Sequence, residues 1–182
     1  FSNFSITEIE SIAPHNVGED TKQVPPNFIT KWHISEMFAK DSVQFVNQVD
    51  SLLKYSDNFK TIIADKDGLV NISRFYDDMN QTVLLSSKIT ADEEKEVTLN
   101  FDYADHLVIL MNSEILFDGG MDFRPPPDKG IEGRVFVNDE KTILRLRKGV
   151  NDLIFMLSGD IRQKFNWCFI AKIDILEGIS IE

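Results

Sequence analysis

The sequence predicts an all-β protein: an antiparallel β-sandwich or jelly roll with a short helix and an irregular N-terminal arm. Three observations lead there. From Phe59 onward about nine apolar or alternating segments recur roughly every 8–12 residues, with no helical segments between them. Short turns bearing Gly, Asn or Asp separate these segments. The composition, 42% hydrophobic and 27% charged over 182 residues, is that of a globular chain able to bury a core without disulfides or metals.

Taken in order, Phe1, Phe4 and Ile6 suit a short strand. Residues 15–26 are polar and carry Gly18, Pro25 and Pro26, the composition of an irregular connection. Residues 1–30 are accordingly assigned to an N-terminal arm or the end of a preceding domain, and residues 31–182 to the jelly-roll domain. Val43, Val46, Val49 and Leu53 fall at helical spacing within residues 41–55, with Asp41 or Ser42 as N-cap; a looped insertion is the alternative. Residues 59–64 form a short apolar strand, and Asp65-Lys66-Asp67-Gly68 a turn. Residues 69–75 and 82–89 are β-rich. Val97, Leu99, Phe101 and Tyr103 alternate with polar neighbours, as in a strand with one buried face.

Residues 107–111 are a continuous apolar run, the signature of a strand buried on both faces. Asn112-Ser113-Glu114 turns the chain back into Ile115-Leu116-Phe117. Residues 119–133 read as the long loop of this half, with two adjacent glycines, three consecutive prolines and Arg124. Strands follow at 135–137, 142–146, 153–157 and 167–173, with turns at 138–140 and 148–151.

Charge limits the function classes. Lys and Arg total 19 against 30 Asp and Glu, a net charge of −11. Binding to nucleic acid or to anionic lipid rests on Lys and Arg meeting phosphate, so neither partner is expected. Nor is a membrane span, since no apolar run approaches the ~20 residues one needs. Cys168 is the single cysteine; in an apolar strand context it reads as a small buried hydrophobe. The chain opens on Phe1 without Met or a signal peptide, as a processed product would. Asn3-Phe-Ser5, Asn71-Ile-Ser73 and Asn80-Gln-Thr82 fit the glycosylation sequon.

Candidate chemistry is sparse. His15, His33 and His106 form no metal-ligand spacing, and no nucleophile elbow or phosphate loop occurs. No cofactor is expected, with a structural Ca²⁺ held by Asp118 and Asp122 as the alternative, because that stretch offers carboxylates and carbonyl oxygens from a loop. Sugar binding needs an aromatic face and planar polar groups for hydroxyls. Trp167 offers the face, or else is core; Asn166, Arg124 and Asp122 offer the polar groups. Arg74 reads either as a buried partner of a carboxylate such as Asp105 or as a site residue. The Glu93-Glu94-Lys95-Glu96 run reads as a solvated loop or as gatekeeping charge beside a strand.

Three short patterns carry a resemblance. Gly68-Leu-Val-Asn-Ile-Ser-Arg74 resembles an entry strand. Asp105-His-Leu-Val-Ile-Leu-Met-Asn112 followed by Ile115-Leu-Phe is similar to a D-x-V-x-V-x-x-N-G hairpin. Thr142-Ile-Leu-Arg-Leu-Arg-Lys-Gly-Val-Asn-Asp-Leu153 resembles an L-x-L-x-x-G-x-N-x-L hairpin, and Asn166-Trp-Cys-Phe169 the aromatic segment after it. Together they resemble the galactose-binding-like jelly-roll domains appended to bacterial glycoside hydrolases. Phe1-Ser-Asn-Phe-Ser-Ile6 is similar to the last strand of a concanavalin-like lectin domain. Two positions depart from the pattern: Ser113 stands where the hairpin Gly is usual, and Lys164-Phe-Asn-Trp167 where a Gly-Gly-Trp-Gly segment is often found.

The resemblance implies a non-catalytic carbohydrate-binding or accessory module of a larger glycan-processing protein, secreted or periplasmic, with a cytoplasmic location the alternative. Its partner would be a glycan or a neighbouring domain. Trp167 would stack on the sugar, Asn166, Arg124 and Asp122 would meet hydroxyls, and Asp105 and Asn112 would shape the adjoining hairpin. The competing readings are a structural or protein-interaction β-sandwich and a glycoside hydrolase working through a carboxylate pair.

Overall fold

The structure is a computed structural model that describes residues 24–39, 49, 53, 58–78, 80–120, 135, 137, 140–159 and 167–182. Twelve strands lie among the described residues: β1 (Lys31–Ile34), β2 (Phe38–Ala39), β3 (Lys60–Ile63), β4 (Leu69–Asn71), β5 (Gln81–Ala91), β6 (Lys95–Tyr103), β7 (His106–Met111), β8 (Glu114–Gly120), β9 (Glu140–Leu146), β10 (Gly149–Ser158), β11 (Cys168–Ile173) and β12 (Ile179–Ile181). They form two antiparallel sheets. The larger runs β3-β1-β5-β10-β7-β8, with β2 and β12 also on β5; the smaller runs β4-β11-β6-β9. From β3 onward every connection among these strands except β7–β8 passes to the other sheet. An all-β sandwich is therefore what the sequence builds.

The period-2 alternation explains the layering. Val97, Leu99, Phe101 and Tyr103 of β6 face Leu107, Ile109 and Met111 of β7 and Leu153, Phe155 and Leu157 of β10 in one buried core. Aromatic rings join the sheets. Trp32 of β1 lies 4.8 Å from Phe155 and 5.0 Å, edge-on, from Phe169 of β11 (centroid distances). Trp32 Nε1 donates to Ile29 O at 2.9 Å, so its polar end is satisfied.

A second cluster covers the outer face of the larger sheet. Leu84, Val108, Leu110 and Ile154, the residues between the inward-facing ones, pack with Val49, Leu53, Phe38 and Phe59. This is why residues 107–111 are apolar throughout: β7 is buried on both faces, as its sequence predicts. Val49 and Leu53 are helical, at the four-residue spacing expected of one helix face; the rest of the expected 41–55 helix lies outside the described residues, as do the Phe1–Ile6 strand and most of the 119–133 loop.

Several expectations are corrected. The strand expected over residues 69–75 stops at Asn71. Its side-chain oxygen accepts from Ser73 N at 3.1 Å and caps a 3₁₀ turn over Ile72–Arg74. Arg74 is not a buried partner of Asp105; it pairs on the surface with Asp65. The strand expected at 135–137 is absent at Val135 and Val137, and Phe136 lies outside the described residues. The first two residues of the expected 119–133 loop, Gly119 and Gly120, belong instead to β8, where they pair with Leu107 and His106. A Cβ at Gly119 would sit 2.6 Å from Tyr103 Oη, which suits glycine there. β1, β2 and β12 are unforeseen strands, which follow one another along a single edge of β5. Ile29 is core, donates its N–H to Ala171 O at 2.9 Å, and so ties residues ahead of β1 to β11.

The largest correction concerns residues 142–153. They are no hairpin: β9 pairs with β6 in one sheet, and β10 with β5 and β7 in the other. The turn between them is a corner, held by the fully buried Asn151. Its Oδ1 accepts from Arg147 N and from Asn112 Nδ2, both at 2.9 Å. Its Nδ2 donates to Arg147 O at 2.8 Å and Gly149 O at 3.0 Å, with Ile89 O at 3.3 Å. Gly149 takes φ +96°, which suits glycine. In the β7–β8 hairpin Asn112 and Ser113 have φ of 50° and 70°, and Asn112 Oδ1 accepts from Asp152 N at 3.1 Å.

Asn151→Ala leaves the buried Ile89 carbonyl and the partly buried backbone groups of Arg147 and Gly149 without this partner, and should lower the unfolding free energy by about 3 kcal/mol. Asn112→Ala should cost about 1 kcal/mol, because Asn151 Oδ1 keeps Arg147 N as a donor and the bond from Asp152 N is exposed. Urea unfolding followed by tryptophan fluorescence measures both.

Candidate functional site

Of the six sequence-predicted ligand residues, three are described, Trp167, Asp105 and Asn112, and these three do not meet at one site. Trp167 has no exposed surface, and Ile72 N donates to its carbonyl at 2.8 Å. Its ring lies 6.5 Å from that of Tyr76. A ring without accessible surface cannot stack on a sugar, so the stacking role expected of Trp167 is corrected to a core role. Asp105 is buried at the β6–β7 turn with φ +77°. Asn112 lies at the opposite end of β7, roughly 20 Å away at the rise of an extended strand. Asn166, Asp122 and Arg124 lie outside the described residues.

Asp118, one half of the expected Ca²⁺ pair, faces His106: Nε2 and Oδ1 are 2.9 Å apart in an exposed pair. Ca²⁺ takes six to eight oxygens. Asp118 is a single carboxylate, and Asp122 is outside the described residues, among which no group of three His, Cys, Asp or Glu could hold a metal.

A different site is present at the Asn112 end. There the β5–β6 turn, the β7–β8 hairpin and the β9–β10 corner meet, and an open cleft of about 590 Å³ lies between the edge strands β8 and β9. Met111, Leu116 and Leu146 contribute apolar floor. Glu94, Lys95, Glu96, Glu114, Arg145 and Arg147 contribute the charged walls, with Asn112 between.

The local reasons are visible. Leu146 points inward and is buried, so Arg145 is turned out by strand alternation, and Arg147 follows at the corner. Arg147's backbone is clamped on both sides of the peptide by Asn151. Lys95 is bound by Asp92 at 2.8 Å and donates to Glu177 O at 3.0 Å, which fixes the start of β6. Arg145 Nε reaches Glu96 Oε1 at 3.0 Å. The side chains of Glu94, Glu114 and Arg147 have no hydrogen bond or ion pair among the described residues. Asn112 is different, because both ends of its amide are engaged, with Asn151 and Asp152. It shapes the hairpin, as expected of it, and its presence in the cleft wall follows from that.

Sequence reasoning therefore found one wall residue, Asn112, and missed the charged ones. The Glu93–Glu96 run reads as a solvated loop or as gatekeeping charge beside a strand. Arg145 and Arg147 carry a signal: they flank Leu146, three residues before the corner Gly149.

No family model matches the sequence, and no curated protein matches it. Among solved structures, a family 35 carbohydrate-binding module from an environmental isolate is similar at 10% identity and TM-score 0.38, over 57% of this chain and 72% of that one. A β-glucosidase from Kluyveromyces marxianus, solved in complex with glucose, is similar at 13% identity and TM-score 0.46, over 79% of this chain. Its selenomethionine form gives 14% identity and TM-score 0.47, over 80%. This chain spans 16% of the β-glucosidase. At these identities and scores none of them assigns a ligand or an activity to this chain.

Two titrating groups are perturbed near the Asp105 end. Burial, reinforced by the nearby Asp102 and Asp105 charges, pushes the Cys168 thiol from 9.0 up to about 12. Burial, then the Glu140, Asp102 and Asp118 charges, pushes the Tyr103 hydroxyl from 10.0 up to about 12. Cys168 is therefore a neutral thiol, inert as a nucleophile. Both folded-state values lie above the unfolded ones, so both groups favour the fold at neutral pH. That contribution is complete below pH about 9 and disappears as pH rises through about 12. The urea midpoint should hold level up to about pH 9 and fall beyond it. Cys168 should resist a thiol reagent in the native protein near neutral pH and react once urea is added.

Proposed function

We propose that the chain is a non-catalytic carbohydrate-binding or accessory module of a larger glycan-processing protein, and that its binding surface is the cleft between β8 and β9. The observation that carries the reading is the make-up of that cleft. Planar hydrogen-bonding groups, two carboxylates and a guanidinium with no partners among the described residues, stand over an apolar floor. Carboxylates accept from vicinal hydroxyls and a guanidinium donates to them, while the apolar floor suits the C–H face of a sugar ring. The cleft is open, as a surface that holds an extended chain must be. The resemblance of the 105–117 segment to galactose-binding-like domains supports the same class, and Met111, Asn112, Glu114 and Leu116 of that segment line the cleft.

The readings are separated by screening the folded protein on a broad glycan array. A consistent hit on one glycan class is expected, and Arg147→Ala with Glu114→Ala should weaken it about tenfold or more while leaving the urea midpoint unchanged. A blank from folded protein overturns the binding reading in favour of a structural or protein-interaction domain. Hydrolysis of the bound glycan on prolonged incubation overturns it in favour of an enzyme. Running the array with and without Ca²⁺ tests the metal expected at Asp118 and Asp122; a Ca²⁺-dependent hit would point to that loop, and Asp118→Asn abolishing the dependence would assign it.

A further inference from the structure

Resting on that reading, we infer that the cleft takes uncharged glycans and excludes acidic ones such as uronate-bearing chains. The walls hold three carboxylates and three cations, but the cations are unequally free. Lys95 is neutralised by Asp92 at 2.8 Å, with Glu93 at 3.7 Å. Arg145 is neutralised by Glu96 at 3.0 Å. Arg147 remains, against Glu94 and Glu114, which like it have no ion pair among the described residues. Among the described residues of these walls, an incoming carboxylate meets one cation and two carboxylates without an ion pair, on a chain of net charge −11. Like charges facing each other across a binding surface cost affinity and slow encounter. A neutral ring meets no such opposition and still finds acceptors, donors and an apolar floor.

The rejection is electrostatic and solvent-exposed, so it must weaken with salt as the screening length falls from about 30 Å at 0.01 M to about 8 Å at 0.15 M. The backbone under these groups is fixed by Asn151 and Lys95, so removing the carboxylate charge need not move the cleft.

The test is calorimetric titration of the full chain at low salt with two oligosaccharides of one linkage, a neutral hexose chain and its uronate counterpart. The neutral chain should bind at least about tenfold more tightly. The gap should narrow in about 0.15 M salt and in Glu94→Gln/Glu114→Gln, whose fold is confirmed by an unchanged urea midpoint. A uronate chain that binds as well as or better than the neutral one overturns the inference and leaves the binding reading standing. A gap that salt and the double variant leave unchanged overturns the electrostatic cause. Absence of binding by both chains, together with a blank glycan array, overturns the binding reading itself.

Discussion

A single buried amide determines how the two sheets meet. Asn151 is the third residue of β10, just after the chain has left the other sheet, and the peptide at Arg147 has no strand partner to satisfy it there. Asn151 supplies both a donor and an acceptor to that residue, at 2.8 and 2.9 Å. The same side chain receives the Asn112 amide of the β7–β8 hairpin and points its own nitrogen toward Ile89 O on β5. Three chain segments from two sheets are thereby fixed to one group with no exposure to water. Buried polar groups are costly when unmatched and specific when matched. Here the match imposes the corner geometry on which the rest of that end of the sandwich is built.

Most of the fold was legible because it is periodic. The alternation of Val97, Leu99, Phe101 and Tyr103 marks β6, and the unbroken apolar run of β7 marks a strand with cores on both faces. What was not legible is set by partners distant in sequence. β1, β2 and β12 are two to four residues long and exist because β5 presents a free edge of eleven residues. The β9–β10 corner has the glycine and asparagine of a hairpin turn, and local sequence does not distinguish a chain that folds back on itself from one that crosses to the opposite sheet. Asn71 shows the reverse case, since a local cap, and not a distant partner, ended the strand early.

The site was less legible than the fold for a related reason. Trp167 attracted attention as an aromatic beside polar residues, yet it opens the unbroken apolar run Trp167-Cys-Phe-Ile-Ala171, every residue of which is buried. That run was in the sequence and outweighs the local polarity before it. Asp105 and Asn112 stand on one strand, but at its two ends, so one of them has to leave any common site. The charged cleft residues come from three turns, and Glu94 lies 53 positions from Arg147. Nothing about Glu94, Glu114 or Arg147 alone separates them from other surface charge until the corner brings them together.

The cleft and the core are in this way one construction. Arg147 is exposed at its guanidinium and clamped at its peptide, Asn112 lines the wall while bonding the corner, and Lys95 holds the start of β6 to the Glu177 carbonyl ahead of β12. The backbone positions of the wall are therefore set by buried or shielded bonds, whereas the ends of its long side chains remain free to turn in water. A wall of this kind has little means of rejecting a ligand by fine shape, because Glu and Arg termini adapt to what they meet. Its charge does not adapt. On the proposed reading, discrimination falls to the imbalance between Glu94 and Glu114 and the Arg147 guanidinium, none of which has an ion pair among the described residues.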